Sequence, residues 1–211
     1  NDTLAGVEEQ FNVSLAYRAT FPLIEVKTSA FRDSDVQARI AAEQAASEVR
    51  QRLGALVFAE GDQELAEVVA GALRQRSYSL GLAESCTGGL VAELFTKHPA
   101  SDYFKGAIVC YDNEVKSRLL KVSTRLLEAE GAVSEAVVRQ MATGARDALG
   151  ADVGLALSGI AGPTGGTEEK PVGLVHYAVA TPSEVVARHK IFIGDRRRVQ
   201  VLAAYAGLDL I

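Results

Sequence analysis

The sequence has 211 residues, enough for one large or two small domains, and 48% hydrophobic with 23% charged residues is the balance of an ordinary globular protein. A formal net charge of -5 argues against a protein whose affinity comes from neutralising nucleic-acid phosphates. Two cysteines, Cys86 and Cys110, form neither a metal-binding spacing nor a disulfide framework, which favours a reducing cytoplasm. No apolar run reaches the ~20 residues of a membrane helix, and no signal peptide is visible. Met141 is the only methionine, so the sequence is expected to be part of a longer chain.

Residues 1 to about 60 have a character of their own. "VSLAYRAT" and "PLIEVKTSA" flank Phe21-Pro22 and alternate like two strands. Asp33 is placed to cap a helix with Val36, Ile40, Val49 and Leu53 at helical spacing, and "ALVFAE" follows as a short strand. The expectation is a small α+β domain over 1–61. Asp62 then caps a helix carrying Leu65, Val68, Val69 and Leu73, which leads into a buried strand "SYSLGLA". Beyond it come a helix after Gly88, strand "FKGAIVCY", helices from about 113 and 124, and a helix capped by Ser134. Strands "DVGLALS", "GLVHYAVAT" and "EVVARHKIFI" precede a final helix after Asp195. This alternation predicts a three-layer α/β/α domain over 62–211. Its sheet is mixed, because the last two strands are joined by Thr181-Pro182-Ser183 as an antiparallel hairpin.

Three polar or glycine-rich segments sit at predicted strand ends, where open α/β sheets place ligands: "ESCTGG", "CYDNEVK" and "SGIAGPTGGTEEKPVG". In the first, a helix N-terminus presents the backbone donors of Thr87, Gly88 and Gly89 beside Ser85. Cys86 is an alternative nucleophile at the same turn, and spacing does not choose between the two. A serine needs a base, and the three histidines are poorly placed for it. Lys116, in the first turn of the helix after the "AIVCY" strand, is either that base, its pKa lowered by partial burial, or an ordinary solvated lysine. Tyr111 and Asn113 share its turn and are suited to relaying a proton and orienting a substrate. Gly159, Gly162, Gly165 and Gly166 around Pro163 allow close backbone approach, and Arg196 at the start of the last helix is suited to a phosphate. Carboxylates for a metal-dependent reaction would have to come from Glu84, Asp112, Glu114 and Asp195.

Taken in order, "AESCTGG", "YDNEVK", "GAVSEAV", "SGIAGPTGGTEEKPVG" and "GDR" resemble the C-terminal domain of the CinA competence/damage-inducible family, the PncC-type nicotinamide-nucleotide amidohydrolase. The first sixty residues resemble the KH-type domain that precedes it in the long form, although they lack a Gly-x-x-Gly loop. The resemblance implies hydrolysis of nicotinamide mononucleotide to nicotinate mononucleotide and ammonia, with no metal and no cofactor. It makes Ser85 the nucleophile, Lys116 the base and Tyr111 a relay or orienting group, with Ser158 and Arg196 in the pocket and Gly159 to Thr167, including Thr164, around the ribose phosphate. It also implies an upstream molybdopterin-binding-like domain; a homodimer in the cytoplasm is expected, with no membrane or nucleic-acid partner. The chain departs from the family pattern at Asp112, often Ser, at Ser158, often Thr, and at Gln200, where a second arginine is common. Asp112 would oppose any lowering of the Lys116 pKa.

Overall fold

The alternating segments on either side of Phe21-Pro22 pair as an antiparallel hairpin in the computed structural model, which describes residues 2–211. The chain divides into two units, the first ending at Asp62 and the second spanning Gln63–Ile211. In the first, α1 (Val7–Phe11) precedes β1 (Ser14–Thr20) and β2 (Leu23–Ser29), and α2 (Asp35–Leu53) follows. The cap of α2 is Ser34, not Asp33: its hydroxyl accepts from the Gln37 N–H at 3.3 Å. The buried stripe of α2 is Ala41, Ala45 and Val49, packed with Leu4, Val7 and Val13, whereas Val36 and Ile40 are exposed. Small residues at every fourth position let the helix lie close to the hairpin, which the periodicity of the larger side chains did not reveal. The expected strand at residues 55–60 is absent. Gly54–Leu56 form a short 3-10 turn instead, and "ALVFAE" pairs with neither β1 nor β2.

The second unit opens with α3 (Leu65–Gln75). Here too the cap differs from expectation: the Glu64 N–H donates to the Glu67 carboxylate at 2.9 Å in a capping box, and Asp62 lies outside it. β3 (Leu80–Glu84), α4 (Leu90–Thr96), β4 (Phe104–Val109), α5 (Asn113–Leu120), α6 (Thr124–Glu130) and α7 (Glu135–Leu149) follow. β5 (Val153–Gly159), β6 (Leu174–Ala180), β7 (Val185–Ile191) and α8 (Arg196–Leu210) complete the unit.

The five strands lie in the order β4-β3-β5-β6-β7. β3 pairs in parallel with both β4 and β5, while β5–β6 and β6–β7 are antiparallel, so the sheet is mixed. β7 sits at the edge, its outer residues Arg188 to Ile191 exposed. α7 packs across one face with α5 and α6 against it; α8 packs on the other with α3 and α4. The result is the expected three-layer α/β/α architecture. All five residues of β3 are buried, as a central strand covered on both faces requires. The chain leaves β3 toward β4 on one side and returns to β5 on the other, which opens a crevice at the carboxyl ends of these three strands.

Backbone contacts this close leave no room for side chains. A Cβ at Gly154 in β5 would stand 2.1 Å from the Ala142 carbonyl oxygen of α7, and one at Gly144 would stand 2.1 Å from that of Leu120. Gly154→Ala is expected to push α7 off the sheet and cost roughly 1–3 kcal/mol, a melting temperature lower by about 3–10 °C. An unchanged melting curve would show that the α7–sheet spacing is not set by this contact.

Candidate active site

The crevice at the ends of β3, β4 and β5 holds a cavity of about 200 Å³. It is lined by Ser85, Cys86, Tyr111, Asn113, Lys116, Ala132, Val133, Ser158, Gly159, Ala161 and Arg196. Residues from all three predicted segments therefore meet here. β3 delivers Ser85, whose N–H continues the sheet by donating to the Leu157 carbonyl at 3.0 Å. β4 ends at Val109, so Tyr111 stands just past it at the mouth and Lys116 comes from the first turn of α5. β5 carries Ser158, whose hydroxyl donates to the Ala132 carbonyl at 2.7 Å.

Lys116 is the most unusual side chain of the site. It is 1% exposed, and its Nζ donates to the Cys110 carbonyl at 2.8 Å and to the Tyr111 carbonyl at 3.1 Å. Burial lowers its pKa below the usual lysine range, and this outweighs its neighbours Cys110 and Asp112, which act to raise it. The Asp112 carboxylate faces its own helix instead, accepting the Glu114 N–H at 2.7 Å as the cap of α5. Two carbonyls accept two hydrogens of Nζ, and its remaining position, a hydrogen on the ammonium or a lone pair on the amine, is left for the cavity.

The two adjacent nucleophiles are separated by their surroundings. Cys86 is 4% exposed, and its thiol is pushed up to about 12, first by burial and further by the charge of Glu84. Cys110 is pushed up to about 11, again by burial. Neither carries thiolate character at neutral pH. Ser85, which needs only a neighbouring base, has the buried amine of Lys116 in the same cavity.

The turn between β3 and α4 departs from the expected row of free donors. The Gly89 N–H donates to Glu84 Oε2 at 2.9 Å, as does Val91 at 3.1 Å, while Ala92 donates to Glu84 Oε1 at 2.8 Å. Thr87 is buried and Gly88 is exposed, and neither lines the cavity. Glu84 is 0% exposed and spends its carboxylate on these amides, so it does not join Asp112, Glu114 and Asp195 in a cation site. Among the described residues no group of three His, Cys, Asp or Glu side chains is placed to hold a metal. The signal for Glu84 was present in the sequence: a carboxylate ending a wholly apolar strand must find buried donors.

Arg196 works as a brace between segments. Its guanidinium donates to the Gly162 carbonyl at 2.8 Å and to the Tyr111 hydroxyl at 3.1 Å. One turn later Gln200, to which sequence reasoning gave no role, donates to the Cys86 carbonyl at 2.9 Å. Thr164, Gly165 and Gly166 are exposed and lie outside the cavity lining. The glycines of this loop serve its own packing: a Cβ at Gly162 would meet Val172 Cγ1 at 2.6 Å, and one at Gly166 would meet the Val172 nitrogen at 2.7 Å.

Comparison with known proteins matches residues 62–211 to the CinA C-terminal domain. The chain belongs to the CinA family. The CinA-like protein of Geotalea uraniireducens is 42% identical over 203 residues, covering 96% of this chain and 48% of that protein. That of Anaeromyxobacter sp. strain K is 47% identical over 204 residues, covering 94% and 48%. The chain thus spans about half the length of the curated relatives it matches. Among solved structures, the competence/damage inducible protein CihA of Agrobacterium tumefaciens superposes with a TM-score of 0.68 at 34% identity, covering 72% of this chain and 94% of that one. A CinA superfamily protein of Escherichia coli gives 0.64 at 32% identity, covering 74% and 94%. The α/β fold with its mixed sheet is therefore that of the CinA structures.

The environment of the CinA-family turn predicts that Cys86 is chemically quiet. With its thiol near 12, alkylation by iodoacetamide at pH 8 should run at roughly a thousandth of the rate of an ordinary cysteine. Mass mapping of the labelled peptide checks this, and labelling at an ordinary rate would make Cys86 a competitor of Ser85.

Proposed function

We propose that residues 62–211 form a nicotinamide-nucleotide amidohydrolase, converting nicotinamide mononucleotide to nicotinate mononucleotide and ammonia with Ser85 as nucleophile and Lys116 as base. The observation that carries this reading is the buried Lys116 amine, held by two carbonyls in the cavity that Ser85 also lines. A hydroxyl and an amine of lowered pKa lining one cavity are suited to serve as the nucleophile and base of amide hydrolysis.

Ser85 Oγ attacks the carboxamide carbon as its proton passes to Lys116 Nζ. The tetrahedral oxyanion develops beside Ser85; the Gly89 N–H is committed to Glu84 and Thr87 and Gly88 lie outside the cavity lining, so the turn's donor is the Cys86 N–H. Each well-placed donor contributes roughly 3–4 kcal/mol. Lys116 then gives the proton to the departing nitrogen, which leaves as ammonia, and water hydrolyses the acyl-serine with the same lysine accepting its proton. The Tyr111 hydroxyl accepts from Arg196, so its own hydrogen is directed elsewhere and can serve the leaving group or the substrate. Asn113 orients the carboxamide.

The ribose phosphate lies at the mouth. Two N–H groups of Arg196 are engaged, and a guanidinium has five. With Ser158 and with Gly159 and Ala161, the part of the glycine loop that lines the cavity, it forms the phosphate end of the site. Binding energy gained there positions the amide. A KH-type first unit, an upstream domain corresponding to the remaining length of the relatives, a homodimer and a cytoplasmic location accompany this reading.

The direct test is ammonia release from nicotinamide mononucleotide, its riboside, free nicotinamide and glutamine. The mononucleotide should be preferred over the riboside by two to four orders of magnitude in kcat/KM, on about 1.5–3 kcal/mol per charged hydrogen bond, and Ser85→Ala should abolish turnover. Equal turnover of mononucleotide and riboside would remove the phosphate from the reading.

The pH profile tests the base. Lys116 acts uncharged, so kcat should rise with pH through a midpoint below the ordinary lysine value of 10.5. Asp112 acts to raise that pKa, and asparagine is an equally good helix cap, so Asp112→Asn should move the midpoint to lower pH without unfolding α5. A midpoint that stays in place or moves upward would assign the limb to another group.

A further inference from the structure

Glu84 is wholly buried, ionisable and adjacent to the nucleophile, yet it has no part in the chemistry above. We propose that Glu84 is the positioning residue of the reaction, its carboxylate fixing the place of Ser85 Oγ by holding the first turn of α4. This rests on the assignment of Ser85 as nucleophile.

Ser85 lies in a five-residue turn, 85–89, between the end of β3 and the start of α4. The upstream side is anchored by the sheet: the Glu84 carbonyl accepts the Cys110 N–H at 2.8 Å, and the Ser85 N–H reaches Leu157 at 3.0 Å. The downstream side contains Gly88 at φ +64° and Gly89 at φ +103°, the two most yielding positions available to a chain. α4 has no side-chain cap of its own, since its N-cap is Gly89. The bonds from Gly89, Val91 and Ala92 to one carboxylate supply that cap and close a ring of residues 84–92. The side chain that ends the strand therefore also holds the start of the helix, and the serine between them loses the freedom its glycines would allow. The same network continues to the base. Glu84 holds Cys110 through its carbonyl, and the Cys110 carbonyl accepts from Lys116 Nζ. Nucleophile and base are thus referred to one residue.

Glu84→Gln keeps the length but offers one acceptor oxygen, and its NH₂ group opposes an amide N–H. In the folded variant kcat for ammonia release from nicotinamide mononucleotide should fall roughly 10- to 100-fold, with KM changed by less than about threefold. The rate at which a sulfonyl fluoride modifies Ser85, read by peptide mass, should fall by a similar factor. Both are measured well below the melting temperature. A merely fold-stabilising role would lower the melting temperature and leave kcat and Ser85 labelling per folded molecule unchanged, and that result overturns the proposal. Should Glu84→Gln not fold, Glu84→Asp, one methylene shorter and unable to reach all three amides, is judged by the same two rates. The labelling ratio is independent of substrate: an unmodified protein that releases no ammonia from the mononucleotide refutes the function proposed above, while the ratio still decides the role of Glu84.

Discussion

Three backbone N–H groups converge on the Glu84 carboxylate, and the rest of the site is arranged around that buried charge. Burying a carboxylate is costly unless donors satisfy it, and the first turn of a helix is where unsatisfied amides are found. The two needs are met together at the end of β3. One effect is electrostatic: the α4 dipole is spent on Glu84, and the same charge helps keep the Cys86 thiol protonated. The other is mechanical, because the strand end and the helix start are tied across the serine.

A second balance concerns Lys116. Its burial favours the neutral amine, while the two carbonyls that hold it also favour the ammonium. The outcome is a basicity below the usual lysine range. Asp112 is exposed and turned into its helix cap, which explains how a carboxylate four residues away coexists with this state. Turned toward the amine, it would raise the pKa of Lys116 further.

Much of this was legible in the sequence because the second unit is locally consistent. The parallel strands are short apolar runs, Ser134 caps α7 as expected, and Pro182 marks the β6–β7 hairpin. What was not legible depends on partners distant in sequence. "ALVFAE" has the composition of a strand, yet it pairs with neither strand of its unit's sheet. The Gly89 amide is an open donor from the sequence alone, and Glu84, five residues away, occupies it. Arg196 has the character of a phosphate ligand, yet its contacts with Gly162 and Tyr111 join segments that no periodicity connects. Gln200 stood out only as a departure from the family's second arginine, and the carbonyl it meets is not readable from the sequence.

The braces supplied by α8 have a temporal meaning. Arg196 lies 85 residues after Tyr111, and Gln200 lies 114 residues after Cys86. During synthesis Ser85, Lys116 and the glycine loop all emerge before the helix that joins them. At roughly 5–20 residues per second the interval between Cys86 and Gln200 is several seconds or more. From the emergence of Ser158 until that of α8 the chain carries Ser85, Lys116 and Ser158 and lacks the contacts that α8 makes between their segments. The cavity is completed only once α8 has emerged, and a chain interrupted before Arg196 holds most of the cavity lining without the contacts that join its segments.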